Sequence, residues 1–195
     1  MTDSSTASRM TSTASGTTTG LDAERRDLLA ALQTHRDLFK RTTIGMSDEQ
    51  AARRSTVSAL SLGGLVKHVA EMEYEWARFI VEGPSALGGA WESVDWSVGP
   101  PPELVAEYEA GFAMQPGETL AGLIERYDAI AATTDALVGT ADLDAAHPLP
   151  AAPWFEPGAR WSARRVLLHL IAETAQHAGH ADIIRESIDG AKTMG

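Results

Sequence analysis

The side chains best able to do chemistry lie close together near the C-terminal end of the chain. His169, Glu173 and His177 follow one another at intervals of four, and His180 comes three later. At about 100° per residue, a helix through them carries all four within a quarter-turn of one face. Val166, Leu170 and Ile184 share that face, whereas Arg164, Asp182 and Glu186 fall on the other side, so the pattern turns two kinds of metal or proton ligand toward a core. Inward-facing ionisable groups cost free energy unless something pairs with them. Glu173 carries the most weight, because a buried carboxylate needs a cation or a donor.

Four long amphipathic helices are expected to position these groups. The last runs from Ser162 to Ile188. The first starts at Leu21, with Leu28, Leu32, His35 and Phe39 in core spacing and a stop at Gly45. Ser47 and Gln50 have the spacing of a capping box, which predicts a short helix through about Arg54. The second long helix covers Ser61 to Glu82, with Leu65, Val69, Met72, Trp76, Phe79 and Ile80 on one side, His68 at its edge, and Gly83-Pro84 as the stop. A crossover loop with Trp91 and Trp96 follows, then a modest helix from about Glu103 to Phe112 behind Pro102. The third long helix spans Glu118 to Val138 and closes at Gly139, with Leu120, Ile124, Tyr127, Ala131, Thr134 and Val138 as its seam. A second irregular connection, Asp142 to Trp161, carries four prolines with Trp154 and Phe155. No stretch alternates with period two for long enough to be a strand, so the expected fold is all-α, a four-helix bundle with at least one crossover.

Composition narrows the function. The 195 residues make a single domain, expected at 21–190, with residues 1–20 read as a disordered Ser/Thr-rich tail and 191–195 as a short C-terminal one. The chain has no cysteine, which excludes disulfides, Cys-ligated zinc, iron–sulfur clusters and a protein thiol nucleophile. Any thiol chemistry must use an external thiol. A net charge of -11 argues against nucleic acid and against an anionic membrane surface. There is neither an apolar run of about 20 residues nor a secretory h-region, so a cytoplasmic protein is expected.

In a bundle, ligands converge from facing helices. Glu173 and His177 supply two donors one turn apart, and His68 is the best third, a set that leaves positions open for water or substrate. Any one of these histidines alone reads as a core residue hydrogen-bonded to a carbonyl, but several together with a carboxylate read as a site. His35 lacks a neighbour at ligand spacing, and His147, before a proline in a loop, is read as solvated. Trp76 and Phe79 are read as core, while Trp91, Trp96, Trp154 and Phe155 on irregular segments are read as the mouth of a pocket. Arg185 and Glu186 read as an exposed charge pair.

Two stretches carry a resemblance. One is Leu60-Ser61-Leu62-Gly63-Gly64-Leu65-Val66-Lys67-His68-Val69-Ala70 with Glu73 and Trp76. The other is Trp161-Ser162, then Leu168 to Asp182, then Ile188-Asp189-Gly190. Together they resemble the DinB-like superfamily, in its actinobacterial branch, over roughly residues 21–190. The resemblance implies a four-helix bundle holding a divalent metal through His68, Glu173 and His177; many relatives have histidine at the position of Glu173, and the mycothiol-dependent maleylpyruvate isomerases have glutamate. It implies mycothiol or a similar small thiol as cosubstrate; the His and carboxylate ligands suit zinc first, with nickel or iron as alternatives, and Trp96 and Trp154 on the irregular segments are the assigned cofactor contacts. His180 and His169 are assigned supporting roles, orienting ligands or moving a proton. A metal-bound thiol has a lowered pKa and attacks a small electrophile, so the leading expectation is a thiol S-transferase. The alternatives are a thiol-dependent isomerase of the maleylpyruvate type and a non-catalytic, stress-related metal-binding module. A homodimer is expected from the resemblance alone.

Overall fold

A computed structural model describes residues 21–193 of the chain; the Ser/Thr-rich segment 1–20 and the last two residues lie outside the described residues. The described residues are mostly helical, with four long helices and three short ones among them: α1 (Ala23–Arg41), α2 (Asp48–Ala52), α3 (Leu62–Glu82), α4 (Ser85–Gly88), α5 (Pro102–Ala110), α6 (Leu120–Thr140) and α7 (Ala163–Asp189). A 3-10 turn, Gly89–Ser93, follows α4. Two three-residue strands, β1 (Ala146–Pro148) and β2 (Arg160–Ser162), pair antiparallel with His147 opposite Trp161. These strands correct the expectation of no strand; they are too short for alternation to show, and their pairing is long-range.

The long helices begin and end where local chemistry satisfies free backbone groups. Ser61, Thr119 and Ser162 cap α3, α6 and α7 through their hydroxyls, and Ser47 with Gln50 forms the expected capping box on α2. α7 ends at Gly190, whose φ of 77° is open to glycine at little steric cost. Gly139 does not close α6, which continues to Thr140. There Arg25 donates to the carbonyls of Val138 and Ala141 and so ties the start of α1 to the end of α6. Arg185 likewise donates to the carbonyls of Thr42 and Ile44, 2.8 Å each, and pairs with Asp189, while Glu186 pairs with Lys192. The two residues are thus not a pair with each other. Thr193 folds back onto Asp182 through its N–H and hydroxyl.

α3 packs on α6 and α7, and α1 packs on α7 and α6, around one shared core. Leu32, Phe39, Leu65, Val69, Phe79, Leu167 and Leu170 are fully buried. On α1 the fourth inward position is Arg36, not His35, which is only half-buried. Arg36 is 1% exposed and Glu73 of α3 0%. Its Nε donates to Glu73 Oε2 at 3.1 Å, its Nη2 to Glu73 Oε1, and its Nη1 to Asp135 of α6 at 2.7 Å. One guanidinium therefore joins three helices. Among the described residues no helix is long and apolar enough to cross a membrane.

Candidate functional site

The site is built on facing turns of α3 and α7. His68, Met72, Glu75 and Trp76 follow at helical spacing along one side of α3, and His169, Glu173, Gln176 and His177 do so along α7; all eight border one cavity of about 590 Å³. His68 and His177 meet edge to face with ring centres 4.9 Å apart. Glu173 bridges along α7, its Oε2 3.6 Å from His177 Nε2 and its Oε1 3.8 Å from His169 Nδ1. His180 does not border the cavity; its Nδ1 lies 3.5 Å from His177 Nδ1, behind the site.

The position of His68 depends on two glycines. The segment at 112–114 crosses the first turn of α3 so closely that a methyl group on Gly64 would collide with the Phe112 carbonyl, and one on Gly63 with the Met114 sulfur. This close approach lays Phe112 on His68, the rings stacked at 4.3 Å. Burial first, then His177, pushes the His68 imidazole down to about 4. Burial also lowers His177, with His180 adding to it. For His169 burial lowers and Arg165 adds, against an opposing pull from Glu173. At neutral pH these three rings are therefore uncharged, each with a lone pair to donate.

A run of aromatic contacts encloses the cavity. From His68 it passes through Phe112 and Tyr108 to Trp91, with ring centres 5.1 and 5.8 Å apart on the last two steps. Trp91 stacks on Trp96 at 6.0 Å, and Trp96 meets Trp154 edge-on at 4.9 Å. Trp154 leads through Phe155 to Trp76, and Trp76 meets His169 at 4.9 Å. His169, Glu173 and His177 then close the circuit on His68. The β1–β2 ribbon holds the Trp154–Phe155 segment in place, with Trp161 of β2 stacked on Trp76 at 4.9 Å.

Of the residues singled out from sequence, His68, His169, Glu173, His177, Trp96 and Trp154 are gathered around this cavity, together with Trp91 and Phe155. Trp76, expected as core, is buried and borders the cavity as well, while Phe79 is core alone. His147 is not solvated: half-buried, its Nε2 lies 3.2 Å from the Ile80 carbonyl at the end of α3. Sequence reasoning missed Phe112, Tyr108 and Glu75. Glu75 was within reach, being seven residues from His68 on one helix face. It is exposed by area, yet desolvation in the concave wall, then Glu71, holds it above the ordinary carboxylate range, with Arg78 opposing. Phe112 had no local signal, because its role rests on a crossing with α3.

Two imidazoles and a carboxylate are the donors a divalent ion such as zinc takes. The 3.6 Å between Glu173 Oε2 and His177 Nε2 is near the spacing of about 3.4 Å between two ligands of a tetrahedral ion with bonds of about 2.1 Å. As they stand, no three His, Asp or Glu side chains among the described residues are arranged to hold a metal; the His68 ring is stacked on Phe112. The set fits in chemistry and partly in spacing.

The family model described as mycothiol-S-transferase matches residues 27–190. No protein of curated function matches the chain. Among solved structures, a crystal structure described as a conserved protein from Enterococcus faecalis matches with a TM-score of 0.58 and 18% identity, covering 85% of this chain and 97% of its own. At that identity it shows a shared fold.

Proposed function

Because the chain belongs to the mycothiol-S-transferase family, within the DinB-like superfamily that its motifs resemble, we propose that it is a metal-dependent transferase joining a small thiol of the mycothiol kind to an electrophile. We read the four long helices as a four-helix bundle over residues 21–190, with His68, Glu173 and His177 as the ligands of a divalent ion, zinc first. Such an ion would lower the pKa of a thiol so that thiolate forms near neutral pH.

The chain's own groups account for the rest. Neutral His169 borders the cavity and has Glu173 beside it, so it can accept the thiol proton and share it with the carboxylate. His180 stands behind His177 and orients its ring. The aromatic circuit, with Trp96 and Trp154, removes water from around the thiol and the electrophile and leaves them flat walls to rest on. In the reaction the sulfur lone pair forms a bond to the electrophilic carbon, and the leaving group departs with its bonding pair.

The observation that carries this reading is that His68, Glu173 and His177, from two helices, border one cavity of about 590 Å³. It is tested by incubating zinc-loaded protein with mycothiol and iodoacetamide. Thiol loss should run well above the protein-free rate and return to it in Glu173→Ala; a rate equal to that of the thiol alone would sink the transferase reading.

A further inference from the structure

The cavity has an unusual balance of charge for its size. Among the described residues lining it there is no Lys or Arg. Two carboxylates remain, Glu173 and Glu75. Glu173 is placed among the histidines, whereas Glu75 has no ion pair or hydrogen bond among the described residues: Arg78, one turn along α3, is taken by Glu82, and Arg126 by Glu71. Trp91, Trp96 and Trp154 stand opposite Glu173 in the order of ring contacts, and Glu75, Trp91 and Tyr108 border one stretch of wall.

Indole faces carry negative potential and attract a cation within about 6 Å, most strongly one that sheds its water easily. An anionic ligand would meet no Lys or Arg on this wall, and the Glu75 carboxylate would repel it. We propose that the Trp91, Trp96, Trp154 and Glu75 side of the cavity recognises a methylated ammonium group on the non-thiol substrate. The carboxylate supplies the counter-charge and the indoles cover the methyl groups. This rests on the transferase reading only in calling the ligand a substrate.

The test uses the full chain without metal or thiol, so its outcome is independent of transfer activity. Choline is titrated in ligand-detected NMR beside two analogues of the same shape. One is the neutral alcohol with carbon in place of nitrogen, and the other is the corresponding carboxylate. Choline should bind saturably and about 10-fold more tightly than the alcohol, the scale of a desolvated cation–π contact, and the carboxylate should bind most weakly. Glu75→Gln, an exposed change on α3, should reduce the preference for choline over the alcohol while leaving the alcohol's affinity unchanged. Trp154→Leu, at a side chain 61% exposed and so safe for folding, should weaken choline more than the alcohol. Equal binding of the alcohol, tighter binding of the carboxylate, or no saturable choline binding would overturn the proposal. If these cation effects appear in a protein without transferase activity, the pocket's preference stands and the reaction assigned to it falls.

Discussion

The helices enclose two polar clusters, and the two are finished to different degrees. At the Arg36 cluster, donors and acceptors meet at 2.7 and 3.1 Å with both members of the main pair almost wholly buried. At the cluster around Glu173 and His177 the contacts between polar atoms, with His169 and His180 included, are 3.5 to 3.8 Å, longer than good hydrogen bonds, and one side faces a cavity. The first cluster satisfies itself and holds α1, α3 and α6 in register. The second is held near closure by its helices but completed by none of its own members, as expected where the missing partner is a ligand.

The sharpest way to break this contrast is to remove one carboxylate from each. Glu73→Ala leaves the Arg36 charge buried without its main partner and should destabilise the metal-free protein by about 3–5 kcal/mol in urea unfolding. Glu173→Ala should cost less than about 1 kcal/mol under the same conditions. Equal losses would mean that the second cluster is also a structural one.

Zinc should narrow that difference. At a free concentration one hundred times the dissociation constant, binding to the native state alone adds about 2.7 kcal/mol, read as a rise in melting temperature. His68→Ala, Glu173→Ala and His177→Ala should each abolish the rise. An unchanged melting temperature in the parent protein on adding zinc or nickel would remove the metal from the account.

Gly64→Ala sharpens the comparison by disturbing how His68 is held. The added methyl forces the segment carrying Phe112 off α3, an overpacking cost of about 1–3 kcal/mol, and should change the affinity for zinc through His68; an undisturbed Phe112 ring environment by NMR would contradict the close crossing of this segment over α3. The smallest effect belongs to the rim. Lys67→Ala removes a partly exposed pair with Glu118 and should cost below about 1 kcal/mol. Burial raises Glu118, but the Gln115 N–H and Lys67 outweigh it and hold it below the ordinary carboxylate range. Its stabilising share is therefore present above that range and is lost as pH falls through the lowered value, and this loss should be smaller in the variant.

Much of the chemistry is legible in the order of residues alone. The interval of four from His169 to His177, the cap at Ser47, and the starts of the second and last long helices at Ser61 and Ser162 are local matters of helical period and unsatisfied backbone groups, and the helices follow them to within a few residues. Arg36 defeats the pattern because periodicity expects an apolar side chain at an inward position, and only the presence of Glu73 across the core makes an arginine tolerable there. The aromatic circuit is half visible: Trp91, Trp96, Trp154 and Phe155 stand out on irregular segments, but their order around the cavity does not.

The chain's local order thus determined the helices and the face on which His169, Glu173 and His177 stand, since both depend on neighbours within a few residues. Tertiary structure alone decided that Arg36 has a partner, that Phe112 covers His68, and that Glu75 borders the same cavity as three tryptophans. Each of those depends on packing between segments far apart in the sequence, where the energy comes from contacts that no local spacing encodes.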